Sequence, residues 1–151
     1  STKNPYKFLK ILCEGDGSKR LPIKLPKDGE PVFFPKTDAV ICVIGLSCLG
    51  KPIKETLFRY ELLPNLTSLD NYFIKSLQSA DIVTTDFLYR LCLSEKGLRK
   101  NITSQKFCII FNQADIVDEK TLAEVIALRN QLQTKGICSH IISVKNNYII
   151  G

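Results

Sequence analysis

The sequence predicts an α/β fold with a mostly parallel sheet flanked by helices. Two continuous apolar runs, Ala39–Gly45 (AVICVIG) and Lys106–Phe111 (KFCIIF), have the pattern of strands covered on both faces, as in parallel sheets. Between and after them, apolar residues recur at helical spacing. The last third runs strand, loop, helix, strand, which predicts a right-handed βαβ unit. At 151 residues the chain reads as a single domain, 1–151.

The elements follow in order. Tyr6–Cys13 (YKFLKILC) is a short apolar run that closes on a Gly-Asp-Gly turn and reads as a first strand. Residues 15–36 carry Gly and Pro breakers with a lysine every few positions, which predicts an extended surface loop. After the strand at 39–45, Lys54–Leu63 is a first helix candidate. Leu69, Phe73, Ile74 and Leu77, with Asp70 near the start, form a second. Thr85 precedes Asp86–Leu93, where Phe87, Leu88, Leu91 and Cys92 make an apolar stripe. The turn EKGLRKN (95–101) reads as a solvated helix end. Asp118 caps a helix running to about Thr134, with Leu122, Val125, Ile126 and Leu132 among its apolar positions. Gly136 stops it, and Ile137–Val144 is a further strand.

Composition narrows the function. Apolar residues are 44% and charged residues 24%, ordinary for a globular chain and wrong for a disordered tail. No apolar run is long enough to span a bilayer. The 21 Lys+Arg against 15 Asp+Glu leave a net charge of +6. That excess suits an anionic ligand such as phosphate but is too scattered for duplex nucleic acid. The aromatic residues lie mostly in apolar runs without basic alternation, so no nucleic-acid partner is expected, and with no spanning run no membrane partner is expected either. Six cysteines, none in a C-x-x-C pair, read as buried thiols of a reducing, cytoplasmic compartment. With His140 as the only histidine, no zinc set is expected, and His140 reads as structural.

Ligands of open α/β sheets sit outside the carboxyl ends of the strands. Three such ends carry chemistry here. In EGDGSK (14–19), Glu14 and Asp16 lie where nucleotide hydrolases hold magnesium or orient water, with Lys19 and Arg20 close behind. The same residues also read as an acidic turn with a solvated basic flank. GLSCLGKP (45–52) fits G-x-x-x-x-G-K but has Pro52 where a phosphate loop needs a hydroxyl, and Leu46 and Leu49 suit packing. Lys51 remains a cation for an anion. NQAD (112–115) resembles the guanine-reading N-K-x-D loop of GTPases, in which the aspartate takes the base edge and the asparagine braces the loop. Gln113 replaces the lysine that covers the base.

Read in order, EGDGSKRLPIKLPKDGEPVFFPKTD (14–38), VIGLSCLGKP (43–52), FRYELL (58–63), LSEKGLRK (93–100) and FNQAD (111–115) resemble the YqeC-type family. Its members are named as accessory proteins of selenium-dependent molybdenum hydroxylases. The resemblance implies a P-loop-NTPase-like three-layer architecture and a site for GTP or ATP with Mg2+. Glu14 and Asp16 would be its catalytic and magnesium residues; Lys19, Lys51, Arg59, Asn112 and Asp115 would bind the nucleotide. Gly15, Ser47, Phe58, Tyr60 and Gln113 depart from the family pattern. Family members open with a phosphate loop, absent here, so one or more βα units are expected upstream. Without them this chain is expected to bind nucleotide weakly.

The implied function is a nucleotide-dependent maturation factor whose partner is a molybdenum hydroxylase or its cofactor-delivery machinery. The competing reading is a non-catalytic adaptor that retains the shape of a nucleotide fold.

Overall fold

The computed structural model describes residues 11–66 and 81–150. The helix expected around Asp70–Leu77 and most of the Tyr6–Cys13 run lie outside the described residues.

The main sheet has four strands in the order β2-β4-β5-β6. Strand β2 (Ala39–Gly45) pairs in parallel with β4 (Lys106–Asn112), and β4 pairs in parallel with β5 (Cys138–Ser143). Strand β6 (Tyr148–Ile150) closes the edge antiparallel to β5. A short second sheet joins β1 (Ile23–Lys24) in parallel to β3 (Leu57–Phe58). The α/β class and the mostly parallel sheet therefore stand as expected.

Residues alternate across the strands, so each strand offers two faces. Ile44, Ile109, Phe111 and Ile141 lie fully buried on one of them. They pack in one core with Phe87, Leu88 and Leu91 of α2 (Thr85–Leu93) and Val125, Leu128 and Leu132 of α3 (Glu119–Thr134). The other face is open: Ile41 is 53% exposed, Val43 56% and Ile149 73%. Among the described residues, β2 packs on the core with one face and leaves Ile41 and Val43 exposed on the other. The apolar run alone could not reveal this, because β-branched residues on the bare face have the same letters as those in the core.

Local rules account for the best-formed unit. Asp118 accepts from Thr121 N at 2.7 Å and caps α3, and Gly136, at φ +75°, takes the left-handed turn that ends it. Thr84 caps α2 by accepting from Phe87 N at 3.1 Å. The β4-α3-β5 unit follows directly, with parallel pairing of its strands.

Three expectations change. Ile11 and Leu12 are 77% and 92% exposed and Ile11–Cys13 is not strand, so the acidic turn does not leave the end of a sheet strand. The 15–36 segment is more than a surface loop, since Ile23 and Leu25 are buried on either side of Lys24. The helix expected at Lys54–Leu63 is only one turn, α1 (Ile53–Thr56). Leu57 and Phe58 are drawn into pairing with Ile23 and Lys24, and Arg59 then turns left-handed at φ 65°. A 3-10 turn follows at Tyr60–Asn65.

Candidate functional site

The parallel register aligns the carboxyl ends of β2 and β4, pairing Gly45 with Asn112. The loops that follow meet at once. Asn112 Oδ1 accepts from Gln113 N at 2.7 Å, bracing the turn, and Gln113 adopts φ 70°. The Gln113 side chain then crosses to the neighbouring loop, where its Oε1 lies 3.4 Å from Ser47 N. Gly45 permits the crossing: a Cβ there would stand 2.8 Å from Gln113 Oε1 and 3.1 Å from Pro22 Cβ. A third strand joins them. Ser143, at the end of β5 and buried, donates from Oγ to Asp115 Oδ1 at 2.7 Å. Asn112, Gln113, Asp115 and Ser143 therefore share one rim with Gly45 and Ser47.

The GLSCLGKP loop is spent on the fold. Leu46–Cys48 is a 3-10 turn with Leu46 and Cys48 buried. Gly50 N donates to Val83 O at 3.0 Å, Lys51 N to Cys48 O at 3.1 Å and Leu49 N to Leu46 O at 3.1 Å. These amides are not pointed at an anion. The Lys51 side chain is exposed.

The acidic turn belongs to a second cluster. Asp16 forms an ion pair with Lys24, and Lys24 reaches Glu30 at 3.0 Å. Glu30 in turn takes the Arg59 guanidinium through both carboxylate oxygens, the Nη2–Oε1 contact being 3.2 Å. Arg59 also lies 4.7 Å from the Phe58 ring centroid, with Lys19 at 5.0 Å from the same ring. The hydrogen bond from Arg59, followed by the pull of Lys24, holds the Glu30 carboxyl down to about 2 against desolvation. An ammonium group already pairs with the Asp16 carboxylate, while the Glu14 carboxylate lies exposed. Strand β1 links the two clusters, with Pro22 O accepting from Gly45 N at 2.9 Å two residues before Lys24.

The basic turn at 95–101 is not simply solvated. Lys100 Nζ donates to Lys27 O at 2.9 Å and approaches Asp28 Oδ1 at 3.2 Å, while Asn101 Nδ2 donates to Pro31 O at 3.1 Å. It clamps the turn that presents Glu30.

Sequence reasoning missed Ser143, Glu30 and Lys24. Ser143 could have been found as a small polar residue ending a strand beside the loop that carries Asp115. Glu30 and Lys24 emerge only from the long-range packing of the 15–36 segment.

Comparison with known proteins gives one match. The family model described as YqeC protein covers residues 2–61, a span holding the acidic turn, β1, the GLSCLGKP loop and Arg59. No curated protein and no solved structure matches the chain. The blocks that carry the resemblance in the front of the chain lie largely within the matched span, and over that span the chain is similar to the YqeC family.

Proposed function

We propose that the chain is an accessory protein for selenium-dependent molybdenum hydroxylases and that its strand-end rim reads the base of a bound nucleotide. The accessory role rests on the family match. The rim reading rests on one observation: three adjacent parallel strands deliver a braced asparagine loop, an aspartate carboxylate fixed by Ser143, and the Gly45–Ser47 turn to one edge. Carboxyl ends of parallel strands are where such sheets take ligands.

Within that reading Asp115 accepts hydrogen bonds from the base edge, Asn112 holds the loop in shape, and Lys51 and Lys19 supply cations for phosphate. Arg59 acts through Glu30, setting the turn that carries Lys24 and Asp16. Glu14 is the free acid of the acidic turn.

The adaptor reading has its own support. The Leu49, Gly50 and Lys51 amides are bonded within the fold and Asp16 is paired with Lys24, which takes those groups away from a phosphate cradle and a metal site. A thermal-shift titration of the intact protein with magnesium plus ATP, GTP or their diphosphates separates the two. Saturable stabilisation by one nucleotide supports the rim, and no shift with any of them supports the adaptor.

A further inference from the structure

The open face of the sheet carries a cluster that the rim does not use. Strand pairing puts Cys108 of β4 directly beside Cys138 of β5, and His140 follows two residues along the same strand, on the same face. Cys108 Sγ and Cys138 Sγ are 3.2 Å apart, and Cys138 Sγ lies 3.6 Å from His140 Nε2. All three ligand atoms fall within 4.8 Å of one another. Among the described residues, this is the one group of three or more such side chains close enough to share an ion.

We propose that Cys108, Cys138 and His140 bind a single Zn2+ ion. Two thiolates and an imidazole nitrogen around tetrahedral zinc stand about 3.6–3.8 Å apart, given Zn–S near 2.3 Å and Zn–N near 2.0–2.1 Å. The observed 3.6 Å matches one edge, and the 3.2 Å edge opens by a small rotation of the cysteine side chains. Sulfur and nitrogen donors select a soft or borderline ion over magnesium or calcium. His140 Nε2 faces the Cys138 thiol, while its Nδ1 is buried without a hydrogen-bond partner. Cys138 is exposed, and Ile41 and Val43 on the same face are over half exposed, so the fourth position faces solvent. Three protein ligands with an open fourth site are the pattern of zinc that meets a further ligand rather than zinc that merely staples a fold. Binding releases the protons of both thiols, so affinity rises with pH.

This site lies at the amino-terminal half of β4 and the start of β5, away from the rim at their carboxyl ends, and stands whether or not nucleotide binds. The test is a Zn2+ titration of the reduced protein against a chromophoric chelator, with Co2+ as the spectroscopic stand-in. Expected are one Zn2+ per chain and, with Co2+, a thiolate-to-metal charge-transfer band with tetrahedral d–d bands. Cys138→Ser and His140→Ala should each abolish these bands while Cys13→Ser, outside the cluster, keeps them. Circular dichroism of the metal-free variants verifies that the fold is intact. The proposal fails if the reduced protein takes up no Zn2+, if both variants bind as the parent does, or if Cys108 and Cys138 are recovered as a disulfide under reducing conditions.

Discussion

Ser143 Oγ donates a 2.7 Å hydrogen bond to Asp115 Oδ1, tying the end of β5 to the loop after β4. The same oxygen accepts from Asn146 N at 3.1 Å, so one buried hydroxyl fixes both the aspartate and the turn into β6. Removing the hydroxyl leaves a carboxylate and an amide without their partner. Ser143→Ala should lower stability by about 1–3 kcal/mol, read from urea unfolding. On the rim reading it should also weaken discrimination between GTP and ATP, because Asp115 then loses its fixed orientation. A variant as stable as the parent would show that the bond contributes nothing net.

The Glu30 cluster sets an acid limit. The folded pKa is about 2 against an ordinary value of 4.5, so the carboxylate stabilises the fold fully above pH 4.5. That contribution is lost as pH falls from about 4.5 toward 2, where the unfolded chain takes up the proton first. Glu30→Gln should be less stable than the parent at neutral pH and show a flatter loss in that window. Urea midpoints measured across the acid range check it, and parallel curves for parent and variant would remove Glu30 from the account.

Gly45 is a point of close approach between two loops. In Gly45→Ala the new methyl meets Gln113 Oε1 and Pro22, at a cost of about 1–3 kcal/mol. Adding Gln113→Ala relieves only part of that cost, because the Pro22 contact remains. A double-mutant cycle reads the coupling directly, and full additivity would mean that the two side chains do not compete for the same space.

The parts of the fold legible in the sequence are those fixed locally. Strand β2 ends where its apolar run ends, and α3 lies between the Asp118 cap and Gly136, because caps and left-handed turns act within a few residues. The apolar stripe of α2 was equally readable. What was not legible depends on distant partners. Leu57 and Phe58 look helical by spacing, but Ile23 and Lys24 recruit them into a sheet. Arg59, expected to bind nucleotide, is instead engaged by Glu30, 29 residues upstream.

The rim was half legible. Asn112 and Asp115 stood out by position after a strand, whereas the contact of Gln113 with Ser47 needed the register of β2 against β4. The Cys108, Cys138 and His140 cluster was hidden for the same reason. Cys-x-His along a strand signals two ligands on one face, but the third, Cys108, comes from β4 and was read as a buried thiol.

Asp115→Ala in the intact protein tests the central claim most directly, with GTP and ATP affinities measured side by side in the presence of magnesium. The rim account predicts that the parent prefers one base and that the variant loses that preference while still binding through the phosphates. An unchanged preference in the variant, or no nucleotide binding by the parent, would contradict it.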